Sequence, residues 1–164
     1  MTSAKRLHVS IIVGRSGHPQ AVIDDLWKRA VGAIGHQAVQ VTGTAVFVSD
    51  GGFAVSVPDD RLRVVPLLKQ GVSRLDALLA AAAVKPGPVG IAGRLMRDNV
   101  ESRRLARALA RRADLQQAFR DSDVVVAADL TADRSVWQLR NRTAAGLAHG
   151  PIAMLHALRE TVRQ

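Results

Sequence analysis

The chain reads as an α/β domain of three layers, a mixed sheet of parallel core strands plus an antiparallel meander flanked by helices, and three observations predict it. Two short runs, HVSIIVG at 8–14 and DVVVAA at 123–128, are apolar on both faces, as strands covered by helices on both sides must be. Between and after them lie stretches with helical spacing of apolar residues, which places crossover helices between parallel strands. From 37 to 67 the apolar period drops to two.

Taken in order, the first strand at 8–14 belongs at the centre of the sheet and ends in Gly14. After the turn Arg15-Ser16-Gly17-His18-Pro19, residues 20–34 place Val22, Leu26 and Ala30 on one helical face with Ile23 and Trp27 beside it. Pro19 suits the first turn of that helix and Gly35 its end. Val39, Val41, Val46, Val48, Phe53, Val55, Val57, Leu62 and Val64 then alternate as strands. Turns at 49–52 and 58–60 between them predict a three-stranded antiparallel meander, and with it a mixed sheet rather than a pure Rossmann domain. Residues 71–84 form an alanine-rich helix capped near Ser73. A short strand at 89–93, a long helix at 99–119, the strand at 123–128, a helix at about 135–147 and a last helix at 152–162 complete the reading. No linker, low-complexity tract or repeat divides the 164 residues, so one domain is expected.

Composition excludes several function classes. With no cysteine there are no disulfides, no thiol nucleophile and no thiolate zinc site. Three Phe, two Trp and no Tyr leave few platforms for stacking nucleic-acid bases. The longest apolar run, 77–84, is far short of the roughly 20 residues of a membrane span, and no secretory leader is visible. A cytoplasmic protein with no membrane partner is the expectation. The net charge of +9 is carried by arginine and is spread over both halves without a polybasic tail, which fits a GC-rich coding background as well as phosphate contact.

In open α/β sheets ligands gather at the carboxyl ends of the strands. In this reading those ends bring together Gly14, Arg15, Ser16, Gly17 and His18, then Gly93 and Arg94, then Asp129. The first turn opens a helix, whose unpaired N–H groups and dipole favour an anion, and its glycines allow close approach. The stretch GRSGHPQAV is similar to the phosphate-binding loop of flavodoxin-like proteins, which implies a phosphate-bearing guest. It lacks their run of hydroxyl side chains, and the meander departs from their strand order. The same residues also suit a plain strand-to-helix turn with Ser16 or His18 as a cap, and Asp129 a helix cap.

No G-x-S-x-G elbow or H-E-x-x-H motif is present, so no catalytic residue and no metal site is assigned, and the identity of any cofactor stays open. His149 and His156 are separated by Gly150-Pro151 and read as a cap and a helix-face residue. Arg103, Arg107 and Arg111 recur at i, i+4 as a stripe, a solvated helix face or a phosphate-backbone contact. The leading expectation is a binder of an anionic, nucleotide-like small molecule, with catalysis left open. A nucleic-acid-associated protein using the arginine stripe is the second reading, and a homo-oligomeric interaction subunit packed through the alanine-rich helix or the meander edge is the third.

Overall fold

The computed structural model describes residues 5–34, 39–49, 51, 56–57, 59–69 and 73–163. In chain order they form β1 (Lys5–Val13), α1 (Pro19–Ile34), β2 (Val39–Ser49), β3 (Leu62–Leu68), α2 (Arg74–Ala83), α3 (Gly87–Ala110), α4 (Ala113–Arg120), β4 (Val124–Ala127), α5 (Leu130–Gln138), a single 3₁₀ turn (Leu139–Asn141), β5 (Gly146–His149) and α6 (Gly150–Arg163). The strands make one sheet in the order β3-β2-β1-β4-β5, with β1 at its centre.

Every pairing is parallel, so the mixed sheet and the antiparallel meander are corrected. β2 and β3 lie side by side with Gly43 opposite Leu62 and Ser49 opposite Leu68, both running the same way. An apolar period of two is identical in parallel and antiparallel strands, so alternation alone cannot orient a pair. Two other features decide it. The connection over 50–61 is about the dozen residues that a parallel crossover needs, and Ala45, Val46 and Phe47 are buried in succession, as in a strand covered on both faces. The expected strand residues Phe53 and Val55 lie outside the described residues. The order is that of the first five strands of the doubly wound dinucleotide-binding sheet and not the flavodoxin order, in which the third strand stands on the other side of the first.

Alternate residues of β1 serve opposite faces. Leu7, Val9, Ile11 and Val13 pack with Ile23, Leu26, Trp27 and Ala30 of α1 and with Met154 and Leu158 of α6. Trp27 lies over Gly43, where a Cβ would come within 2.6 Å of its ring. On the other face Ile12, Val46 and Val125 meet Leu105 and Leu109 of α3, Leu115 and Phe119 of α4, and Ala132 and Val136 of α5. Ser10 Oγ on this side hydrogen-bonds Ser122 Oγ at 2.7 Å, and Ser122 in turn donates to the Ala118 carbonyl, so the buried hydroxyls are satisfied.

Three further expectations change. Residues 89–93 are not a strand but the first turns of α3, because Gly90 and Gly93 lie one turn apart and bring α3 against α2. A Cβ on Gly93 would stand 2.7 Å from the Ala83 amide nitrogen. The long helix at 99–119 breaks at Arg112, whose backbone is extended (φ −100°, ψ 97°), and this turns Leu115 and Phe119 of α4 into the core. The helix expected at 135–147 starts earlier, at Leu130, where Asp129 caps it, and gives way to the four-residue strand β5.

The capping box of α2 is present: Ser73 Oγ accepts from the Asp76 amide while Asp76 accepts from the Ser73 amide at 2.7 Å. α2 packs on α3 and only Leu79 and Ala83 of it are buried. α3 is about 36 Å long at 1.5 Å per residue. Its buried residues change from Gly90 and Gly93, on α2, to Ser102, Leu105, Ala106 and Leu109, over the sheet. The pair α2 and early α3 therefore forms a helical hairpin beyond the carboxyl edge of the sheet. Among the described residues no helix is long and apolar enough to cross a membrane.

Candidate functional site

The strand order reverses at β1, whose neighbours β2 and β4 lead away in opposite directions. Their crossovers run on opposite faces, so a crevice opens above the carboxyl ends of β1 and β4. Two interactions tie its walls together. The Gly14 amide donates to Asp129 Oδ2 at 2.8 Å, and the Arg15 amide donates to Thr131 Oγ1 at 2.8 Å. Asp129 also caps α5, accepting from the Thr131 amide at 2.9 Å and the Ala132 amide at 3.1 Å. Gly14 is required by this approach, since a Cβ there would fall on the Thr131 hydroxyl and 2.7 Å from Asp129 Oδ1.

The turn from Gly14 to His18 leads directly into α1. Ser16 Oγ accepts from the His18 amide at 3.1 Å, and the Val22 amide returns to the His18 carbonyl. Pro19 occupies the first helical position, which leaves the amides of Gln20 and Ala21 at the helix start without intrahelical acceptors. Ser16 is half-buried, Gly17 and His18 are exposed, and nothing lies within 4 Å of where a Gly17 Cβ would be. The open side of this turn is thus backbone N–H, one hydroxyl and one imidazole.

Arg15 turns toward α3: its Nη1 bonds Asp98 Oδ1 at 2.9 Å and its Nε stands 3.6 Å from Glu101 Oε2. Nearby, α3 and α5 pack side by side. Three polar atoms on these helices, Arg97 Nε, Glu101 Oε2 and Ser135 Oγ, are buried without a hydrogen-bond partner. Arg97 and Glu101 are one turn apart on α3, and Ser135 is one turn beyond Thr131 on α5. Unmet hydrogen-bonding capacity thus flanks the crevice on the α3 and α5 side.

The structure brings Gly14, Arg15, Ser16, Gly17, His18 and Asp129 to one edge. It does not bring Gly93 and Arg94 there as strand-end residues: Gly93 is buried against α2, and Arg94 Nη1 donates to the Ala83 carbonyl at 3.1 Å. Arg103, Arg107 and Arg111 are exposed along the second half of α3 and at its C-cap.

Two residues absent from the sequence-based site stand at the same carboxyl edge. His149 ends β5, and its Nδ1 hydrogen-bonds Asp133 Oδ1 of α5 at 2.5 Å, leaving Nε2 open. His149 pairs with Ala127 and Ala127 with Ile12, so it lies two strand spacings from the end of β1, about 10 Å. Neither was visible as a pair because β5 is too short to read as a strand. Asp133 also borders a cavity of about 410 Å³ with Arg134, Trp137 and Gln138, and the Arg140 guanidinium lies 3.6 Å above the Trp137 ring centroid.

A larger cavity, about 620 Å³, lies at the opposite end of the sheet between Arg6, His8, Thr44, Arg63 and Asp123. Its polar groups largely satisfy one another: the His8 ring nitrogens meet Thr42 Oγ1 at 3.0 Å and Thr44 Oγ1 at 3.1 Å, and Asp123 accepts from the His8 amide at 2.7 Å. Size therefore points away from the crevice, whereas open backbone N–H groups and the strand reversal point to it. Among the described residues no group of three metal-ligating side chains occurs.

No protein-family model matches the chain, and no curated protein sequence matches it.

Proposed function

We propose that the protein binds an anionic, phosphate-bearing small molecule of nucleotide-like size in the crevice above β1 and β4. The observation that carries this is the Gly14–His18 turn at the strand reversal, with the amino end of α1 behind it, where the Gln20 and Ala21 amides have no intrahelical acceptor. Ser16, Gly17 and the His18 imidazole hold the anion, Gly14 lets the two walls approach, Arg15 orders the rim through Asp98, and Asp129 fixes the two walls rather than meeting the ligand. The His149–Asp133 pair stands on the same edge, about 10 Å or two strand spacings from the end of β1. If chemistry follows binding, His149 is the residue to carry it, with Asp133 fixing its tautomer.

A thermal-shift screen against nucleotides, sugar phosphates and inorganic phosphate, at low and moderate salt, tests this. A ligand at a hundred times its Kd adds about 2.7 kcal/mol, a rise of about 5–10 °C in a domain of this size. Gly17→Asp places a carboxylate in open space at the turn and is expected to abolish the shift without unfolding the chain, while Gly17→Ala keeps it. No shift with any of these ligands, or one indifferent to Gly17→Asp, rejects the reading.

A second reading rests on Arg103, Arg107 and Arg111, exposed on one face of α3 and without a carboxylate partner among the described residues. It predicts oligonucleotide binding whose log–log salt slope is about −3 for three phosphate contacts and vanishes in the triple alanine variant. A crevice ligand is held with far weaker salt dependence.

A further inference from the structure

We propose that the α2–α3 hairpin and the carboxyl edge beside it form a docking surface for an anionic lipid bilayer. Ten of the thirteen exposed large apolar side chains among the described residues lie at this one end of the molecule. Leu75 and Leu78 project from α2, Val84 and Val89 from the tip of the hairpin, and Ile91, Leu95 and Met96 from α3. Leu68, which ends β3, and Leu130 and Ile152, which follow β4 and β5, stand at the same edge because all the strands run parallel. Leu78, Val84, Leu95, Leu130 and Ile152 are 65–84% exposed. Single exposed leucines are ordinary, whereas a concentration of this kind marks an interaction surface.

The distribution selects the occupant. At 100° per residue, Leu95 points almost directly away from the Gly90–Gly93 seam with α2, and on the opposite helix the exposed Ala77, Ala81 and Val84 point away from that seam with Leu78 at its side. Both outer sides of the hairpin are therefore apolar. A flat protein partner covers one side of a projecting hairpin, whereas a bilayer surface closes around it. Charge adds the second constraint. Among residues 74–96, Arg74, Lys85 and Arg94 are exposed, against the single acid Asp76, which Arg104 engages at 2.6 Å. Such a surface repels a second copy of itself and attracts phosphatidylglycerol-type headgroups. The expectation of no membrane partner rested on the absence of a spanning run, and a hairpin seated in the headgroup layer needs none. This inference does not depend on the crevice reading.

The test is co-sedimentation of the whole chain with phosphatidylcholine vesicles, with and without phosphatidylglycerol. Binding is expected only to the anionic vesicles. Leu78→Gln with Leu95→Gln leaves the charge unchanged and is expected to weaken it about tenfold or more, since both substitutions act on exposed positions and spare the core. The chain has no cysteine, so a bimane label on an Ile91→Cys variant reports insertion as a blue shift with anionic vesicles. Absence of binding to anionic vesicles overturns the proposal. So does binding undiminished in the double variant, which is mere charge adhesion, and so does concentration-dependent dimerisation that shifts the label without lipid, which assigns the face to a second copy.

Discussion

Replacing Asp129 dissects the junction on which the crevice depends. In Asp129→Ala the α5 cap is lost, which costs about 1 kcal/mol, and the buried Gly14 amide loses its acceptor, which adds about 1–3 kcal/mol. A total of about 2–4 kcal/mol follows, equivalent to about 5–15 °C in Tm or about 1–2 M in the urea midpoint. Asp129→Asn separates the two parts. Its carbonyl oxygen still accepts from the Thr131 and Ala132 amides, whereas its NH₂ faces the Gly14 N–H and cannot accept from it. The asparagine variant is therefore expected to lose only about 1–3 kcal/mol. Urea unfolding followed by circular dichroism, with the slope m held common, measures both. An alanine variant within 0.5 kcal/mol of wild type, on the order of an uninvolved surface change, refutes the reasoning; equal losses in the two variants refute the separate role of the cap, and an asparagine variant as stable as wild type refutes that of Gly14.

Three further outcomes are expected. Gly93→Ala destabilises by about 1–3 kcal/mol because its Cβ meets backbone of α2 at 2.7 Å, whereas Gly32→Ala on α1, where the space is open, stabilises by about 0.5–1 kcal/mol; urea midpoints give both signs. Burial holds the His8 imidazole below its ordinary pKa of 6.5, against the opposing pull of Asp123 and Asp121. The unfolded chain thus binds a proton at His8 more readily than the native one, so this contribution to stability is present above pH 6.5 and is lost as pH falls through the lower folded value; His8→Gln flattens that part of the unfolding profile measured between neutral and mildly acid pH. Asp133→Asn releases the His149 tautomer, seen as a change in the ¹⁵N shifts of its ring, without altering the free energy of unfolding in urea by more than about 0.5 kcal/mol.

Local chemistry was legible in the residues alone. HVSIIV and VVVA announced strands buried on both faces, and the periodicity of 20–34 announced α1 with Pro19 at its start. Ser73 marked a cap. Each depends on neighbours in sequence, where propensity and periodicity act. Strand direction, by contrast, depends on what covers each face and on the length of the crossover, so β2 and β3 alternated correctly yet were given the wrong sense. Val89 and Ile91 are β-branched and suggested a strand, but Gly90 and Gly93 take effect only once α2 lies against them, and that contact makes the segment helical. Asp129 could be marked as a cap or a ligand, while its bond to Gly14 spans 115 residues and exists only in the folded chain. The His149–Asp133 pair and the apolar end of the molecule have the same origin. Sequence determined which residues are apolar, charged or able to cap, and only tertiary packing decided which of them face each other, because that depends on the order in which parallel strands assemble about β1.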